Sequence, residues 1–542
     1  MKVSAAIAEI LRREGVDVIF GYPRNAILET AAEAGIRPVI VRQERTGVHM
    51  ADALSRLTRG RRMGVFAMQH GPGTENAYGG VAQAYSESVP VLVLPQGYAR
   101  NLAFTPDNYN ASISMRDISK SVEPILLPAE TANVMRRAFT ALRNGRLRPA
   151  IVEMPWDVLD EDIGVDLDYR PVVSTCSAPD PAAVDEAMTA LAGAKRPVIY
   201  AGQGVHWAEA YDELKELAQL LAAPVGTSLE GKSAFDETHP LSIGSGGAAV
   251  PGQLRHFLDR ADVIFGVGCS FSQTAFGVRM PRGKTVIHAT LDPADINKSV
   301  VCHHALIGDA KLTLAAIITK LRDTMSVPRA AANVKAEIRE VEGAWIRNWL
   351  PLLTSDDAPL CPYRVLWDLQ RTVDVENTII THDAGSPRDQ LSPFWKTTAP
   401  MTYLGWGKTT QLGYGLGLAM GAKLACPDKL CINVWGDAAI GFTGMDFETA
   451  VRERLPILSI LLNNSAMAIE LNQMPAATER FRATDISGDY AAFARALGGH
   501  GERIERPEDI VPAIRRGIEE VQAGKPALLE FITAKETRAS RL

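Results

Sequence analysis

Cysteine is scarce: six residues in 542, at 176, 269, 302, 361, 426 and 431, with no C-x-x-C pair. Neither a zinc site nor a disulfide framework is supported, and reduced cysteines are expected. A basic excess is missing as well. The formal net charge is −6, which speaks against a nucleic-acid partner or an anionic membrane surface, since both call for a large positive face. No apolar run reaches the roughly 18 residues of a membrane span. Short-period repeats and low-complexity tracts are absent, and 46% hydrophobic residues exclude long disorder. The turn Gly202-x-Gly204 lacks a third glycine because position 207 is Trp. The full G-x-G-x-x-G fingerprint of a dinucleotide site therefore fails, and a plain strand–turn–helix is expected there.

At about 150 residues per domain, this length corresponds to three to four domains. The opening MKVSAAIAEI is apolar for six or seven residues, then turns charged at Glu9, Arg12, Arg13 and Glu14. It reads as a first helix and strand rather than a signal peptide, and a cytoplasmic protein is expected. Near-continuous Val/Ile/Leu runs predict strands at 16–20, 39–41, 64–68, 91–94, 151–154, 198–201, 262–266, 285–288, 378–381, 430–434, 457–462 and 527–532. Such runs mark parallel strands covered by helices on both faces. The fold class expected is α/β, with three open parallel-sheet domains joined by right-handed crossovers. Linker-like stretches at 160–182 and 326–362 cut the chain into domains expected at 1–165, 183–328 and 358–542. The first and third are candidates for distant copies of one α/β unit, although their sequences do not show it.

Ligands of open parallel sheets gather beyond the carboxyl ends of the strands. Several runs end there in Gly, Asp or Asn, and one pair is rich in chemistry. Gly436 allows a sharp turn, Asp437 presents a hard anionic oxygen, and the amides of Ala438 and Ala439 open the next helix, where they can meet a phosphate. Twenty-four residues on, a second run ends in Asn463-Asn464. One carboxylate, one amide oxygen and a main-chain carbonyl suit Mg²⁺, which keeps few protein ligands and shares the rest with substrate phosphate. Read alone, Asp437 is equally well a helix N-cap.

The arrangement GDA-x24-NN resembles the GDG…NN motif of thiamine diphosphate enzymes. RQERTGVHMADA at 42–53 resembles the segment that carries their cofactor-activating glutamate. GPGTEN at 71–76 resembles their GPG-x-x-N, and LGWGKTTQLGYGLGLAMGA at 404–422 their GTMGFGLPAAIGA segment. The likeness covers nearly the whole chain, in the order pyrimidine-binding, middle and diphosphate-binding domains. The nearest broad group is the acetolactate synthase-like enzymes of 2-oxo acid metabolism. Ala438 stands where that motif usually has Gly.

The resemblance implies roles residue by residue. Thiamine diphosphate supplies an acidic carbon and an electron sink, and the protein must ionise and hold it. Glu44 would hydrogen-bond the pyrimidine, and in a dry cleft its pKa should be raised. Leu412 would bend the cofactor, and the Thr410 carbonyl would accept from its amino group. Gly73 and Asn76 would border the pyrimidine. Gly385, Ser386, Gly436, Ala438, Ala439 and Met467 would hold the diphosphate, with Asp437, Asn464 and the carbonyl of Ala466 on Mg²⁺. His70, just before GPG, and Glu470, in NNSAMAIE, would face the substrate, a small 2-oxo acid followed by a carbonyl acceptor. Asn110 and Tyr109 lie where the acceptor pocket is usually lined. The implied reaction is decarboxylation and carbon–carbon bond formation by a carboligase or lyase.

Three alternatives stay open. GFTGMDFET at 441–449 resembles the GFSGMEIET of 2-hydroxyacyl-CoA and oxalyl-CoA lyases, which would need a CoA site near the short basic tail TAKETRASRL. A simple 2-oxo acid decarboxylase is the second, although the adjacent His-His pair of that group is missing from 100–120. The third is a binding protein or nucleotide-dependent oxidoreductase on the same type of sheet. A flavin finds no matching residues beyond GVR at 277–279, whereas an adenine nucleotide in the middle domain is kept as an alternative. The family further implies a homodimer or homotetramer with sites between subunits.

Overall fold

Val- and Ile-rich runs become strands here because helices cover both faces of each sheet, so side chains on either side escape water. The structure, a computed structural model, describes residues 1–325 and 327–541. Ser326, in the second expected linker and the middle domain, and Leu542, at the end of the third expected domain, lie outside the described residues. The first sheet comprises β1 (Val18–Gly21), β2 (Arg37–Ile40), β3 (Gly64–Met68), β4 (Val91–Gly97), β5 (Ser121–Pro124) and β6 (Ala150–Pro155), in the order β2-β1-β3-β4-β6-β5. The second comprises β7 (Pro197–Ala201), β8 (Val225–Ser228), β9 (Ser242–Gly246), β10 (Val263–Val267), β11 (Thr285–Thr290) and β12 (His304–Ile307), ordered β12-β11-β10-β7-β8-β9. The third comprises β13 (Thr378–His382), β14 (Tyr403–Leu404), β15 (Leu430–Gly436), β16 (Leu458–Asn463), β17 (His500–Ile504) and β18 (Ala527–Ile532), ordered β14-β13-β15-β16-β18-β17. The neighbours pair in parallel, for example β13 with β15 and β7 with β10.

Renumbered within each sheet, the first and third share the order 2-1-3-4-6-5, so they are the same α/β unit in topology. The middle sheet reads 3-2-1-4-5-6, the doubly wound order of nucleotide-binding folds.

Each of the twelve expected runs overlaps a strand. The six strands the pattern missed are β5, β8, β9, β12, β14 and β17. Five of these are sheet edges, and β8 lies next to one. An edge strand is covered less completely, so it need not be continuously apolar: β12 is buried only at Leu306. The strands β8 (VGTS) and β9 (SIGSG) are rich in Gly and Ser instead.

The first and third domains meet through two helices, Glu44–Leu57 and Tyr414–Ala425. Their apolar faces merge in one buried cluster that includes Val48, Met50, Leu54, Leu416, Leu418 and Met420. Close approach demands glycine. A β-carbon at Gly417 would lie 2.4 Å from His49 Cβ, and one at Gly421 2.4 Å from the Met50 carbonyl oxygen. A buried pair closes the same interface. Arg56 Nε lies 2.7 Å from Asp52 Oδ1, the Tyr414 hydroxyl donates to Asp52 Oδ2 at 2.6 Å, and Arg56 Nη1 donates to the Gly405 carbonyl at 2.8 Å.

Candidate active site

The strands β13 and β15 are neighbours at the point where the order of the third sheet reverses, the place where open α/β sheets bind ligands. Gly385, with φ of 86°, turns the chain after β13 into the helix Ser386–Leu391. Gly436 ends β15, and Asp437 opens the helix Asp437–Thr443. Asp437 is buried. Its Oδ1 accepts from the Ala438 N–H at 3.0 Å, and its Oδ2 from the Ala466 N–H at 3.2 Å. Asn464 Oδ1 accepts from the same Ala466 N–H at 3.0 Å. A carboxylate oxygen and an amide oxygen thus converge on one spot, a donor set that fits a hard dication. Burial pushes the Asp437 carboxyl up to about 6, against four backbone hydrogen bonds that favour its charge. Asn463, the other half of the pair, is spent elsewhere: its Nδ2 donates to the buried Glu530 at 2.7 Å. Among the described residues no three His, Cys, Asp or Glu side chains form a metal cluster. A divalent ion here would rely on Asp437, an amide and main-chain or phosphate oxygens.

Glu44 starts the helix after β2 and is 3% exposed. Asn76 Nδ2 donates to its Oε2 at 3.1 Å, and Gly73 lies against Oε1, which would be 3.5 Å from a β-carbon there. Burial pushes the Glu44 carboxyl above its usual range. The nearby Asp446 adds to this, while Asn76 and the Glu44 N–H oppose it. Asp446 itself takes the Arg42 N–H at 2.7 Å. Asp446 lies nine residues past Asp437, beyond the helix Asp437–Thr443 and at the end of the short 3-10 turn Gly444–Asp446. Within one chain, Glu44 and the Asp437–Asn464 pair therefore sit at opposite ends of the segment 437–446.

The segment 405–413 carries Thr410 and Leu412, both half-buried. The buried Asp383 fastens its far end, accepting from Gly413 at 2.9 Å and from Gly415 at 3.0 Å. His70 is half-buried in an aromatic corner, with ring centroids 4.6 Å from Tyr98 and 5.0 Å from Trp156. Burial, with Arg24 nearby, lowers its pKa, which favours the neutral ring. Met467 is 38% exposed, and Glu470 begins the short turn Glu470–Asn472. Asn110 caps the small helix Ala111–Ser114 by accepting from the Ile113 N–H at 3.2 Å. In the tail, Arg541 Nη2 reaches Asp389 at 2.8 Å and Arg538 lies 4.3 Å over Trp349, so two of its cations pack against the protein.

Sequence reasoning did not single out Asp383, Asp446, Tyr98 or Trp156. Each acts through contacts between distant segments, and a lone Asp or aromatic carries no local signal of that.

A cavity of about 870 Å³ lies at the reversal point of the middle sheet, between the ends of β7 and β10. Gln203, Gly204, Gly268, Ser270, Arg279 and Asp292 are among its walls. The Gly202-x-Gly204 turn does lead into a helix, Gly204–Trp207. A β-carbon at Gly202 would lie 2.4 Å from Cys269 Cα, so the turn is glycine because two strand ends nearly touch.

Comparison with known proteins finds likeness along nearly the whole chain. Three family models match in succession: the N-terminal TPP binding domain of thiamine pyrophosphate enzymes at residues 1–103, their central domain at 184–317 and their C-terminal TPP binding domain at 383–531. A probable acetolactate synthase large subunit of Methanocaldococcus jannaschii is 30% identical, over 98% of this chain and 92% of its own length. The acetolactate synthase large subunit of Parasynechococcus marenigrum is 30% identical over 92% and 83%, and the isozyme 3 large subunit of Escherichia coli 28% over 94% and 91%. The chain belongs to the thiamine pyrophosphate enzymes. Within them it is acetolactate synthase-like, an enzyme that uses thiamine pyrophosphate to form carbon–carbon bonds. Among the described residues, no helix is long and apolar enough to cross a membrane.

Proposed function

We propose that this chain is a thiamine diphosphate- and Mg²⁺-dependent carboligase that decarboxylates a small 2-oxo acid and joins the remaining fragment to a second carbonyl compound. The observation that carries the reading is the convergence of Asp437 Oδ2 and Asn464 Oδ1 on one N–H at the ends of β15 and β16. Asp437, Asn464 and the Ala466 carbonyl would hold the ion. Gly385, Ser386, Gly436, Ala438, Ala439 and Met467 would hold the diphosphate. When bound, the coenzyme supplies an acidic carbon and an electron sink. Glu44 would hold a proton at the pyrimidine nitrogen, a task suited to a carboxyl whose pKa burial raises. Gly73 and Asn76 would keep that acid oriented, Thr410 and Leu412 would set the posture of the coenzyme, and His70 and Glu470 would meet the substrate.

Glu44 and Asp437 lie apart within one chain, so two copies arranged head to head would each complete the other's site. This supports a homodimer or homotetramer. The doubly wound order of the middle sheet and the cavity at its reversal point support an adenine nucleotide there; a flavin is not part of this reading.

Thermal shift with thiamine diphosphate plus Mg²⁺, against NAD(P), is the first test, followed by CO₂ release from pyruvate and NMR of the products. Stabilisation by both coenzyme components and a hydroxyketone product are expected. Stabilisation by the dinucleotide alone, or turnover restricted to 2-hydroxyacyl-CoA, would overturn the reading.

A further inference from the structure

The helix Pro72–Ser86 does two jobs at its two ends. Its first turn carries Asn76, on Glu44. Its other end carries Gln83 and, as C-cap, Glu87, both buried and both facing the segment 405–413. Gln83 Nε2 donates to the Thr409 carbonyl at 3.0 Å. Gln83 Oε1 accepts from the Thr409 hydroxyl at 2.7 Å and from the Gln411 N–H at 3.2 Å. Glu87 Oε1 accepts from Gly407 N–H at 3.0 Å, Lys408 N–H at 2.8 Å and Gln83 Nε2 at 2.9 Å. Glu87 Oε2 is buried without a partner. Two side chains of the first domain therefore grip four backbone groups of the third: the N–H groups of Gly407, Lys408 and Gln411 and the carbonyl of Thr409. The residues between the grips are Thr410 and, one step beyond, Leu412. Gly407 and Lys408 also line the middle-domain cavity, so the grip stands where all three domains meet.

We propose that Gln83 and Glu87 are positioning residues, which fix the segment 405–413 through its backbone and thereby set where the Thr410 carbonyl and Leu412 meet the coenzyme. This rests on the reading that Thr410 and Leu412 face the coenzyme. The physical reason is accounting of donors. A loop has no ladder to satisfy its N–H groups, and an unpaired buried N–H is costly, so the loop settles where these acceptors are. One oxygen of Glu87 does all the accepting, so a Gln at this position can replace it while an Ala cannot.

The test is hydrogen exchange of the 405–413 peptide in the full chain without coenzyme, together with thiamine diphosphate affinity and the kcat-against-KM split. Gln83→Met and Glu87→Ala are expected to speed exchange in this peptide at least tenfold, leave the other peptides unchanged, weaken the coenzyme at least tenfold and lower kcat more than they raise the 2-oxo acid KM. Glu87→Gln should stay near wild type. Thr409→Val, an exposed site that removes a single bond, should give a smaller change in the same direction and serves if the core variants do not fold. Unchanged exchange in Gln83→Met and Thr409→Val would overturn the grip. Faster exchange with unaltered affinity and kcat would overturn the positioning role. A wild-type chain that binds no thiamine diphosphate with Mg²⁺ would instead overturn the functional reading, whatever the exchange data show.

Discussion

Asp437 and Glu44 are carboxyls kept dry by the fold, and in each burial raises the pKa. Their neighbours separate their tasks. Asp437 has N–H donors and the Asn464 amide oxygen beside it, a setting that suits the proposed cation. Removing it by Asp437→Ala should abolish retention of Mg²⁺ and thiamine diphosphate together, as read by metal analysis and equilibrium dialysis; unchanged coenzyme affinity would count against its role. Glu44 has the neutral Asn76 amide and the Asp446 carboxyl beside it, so it suits a proton. Glu44→Gln should leave coenzyme affinity within a few-fold and cut turnover by about a hundredfold or more; steady-state kinetics beside a binding titration decides. Asp383 belongs with these two. Burial pushes its carboxyl from 3.8 up to about 6 despite three N–H donors. An acid with a raised folded-state pKa stabilises the fold below its unfolded pKa and loses that contribution as pH rises through its folded pKa. The stability of wild type relative to Asp383→Asn should therefore fall by up to about 3 kcal/mol between about pH 4 and pH 7. Urea unfolding across that range gives the answer, and a flat or rising difference would refute the assignment.

Among the elements, the helices Glu44–Leu57 and Tyr414–Ala425 matter most, because they place the first and third domains against each other. Gly421→Ala would put a methyl 2.4 Å from a backbone carbonyl, which no side-chain rotation relieves. A loss of about 1–3 kcal/mol is expected from overpacking, seen as a lower denaturant midpoint, whereas the same change at the exposed Gly524, where nothing lies within 4 Å but φ is 89°, should cost only its backbone strain. The strand pattern was legible in continuously apolar, fully buried runs such as β3 and the middle of β15. It was silent at β17, whose incompletely buried positions carry His500, Glu502 and Arg503, and at β12, where Leu306 alone is buried. At closer range, the resemblance singled out Asn464 for the ion, but the engagement of Asn463 by Glu530 of β18, 67 positions away, is visible only in the fold.

On the proposed reading, one copy holds both halves of the site in separate places, with Glu44 beside Asp446 and the Asp437–Asn464 pair at the far end of that segment. Activity should therefore disappear on dilution below the dimer dissociation range and return on concentration, with sedimentation velocity tracking the same transition; full activity from a monomer would refute shared sites.

What could be read along the chain was chemistry and order: the GDA…NN spacing, the glutamate after the second strand and the alternation of apolar runs. Those signals are local, because a strand end and its turn lie within a few residues of each other. Folding settled the rest. It gave the first and third sheets one strand order, put the middle cavity at a topological reversal, tied Asn463 to Glu530, and set Gln83 and Glu87 against a loop more than 300 positions distant. Each of these depends on partners brought together by packing, and no spacing rule connects them before the chain has folded.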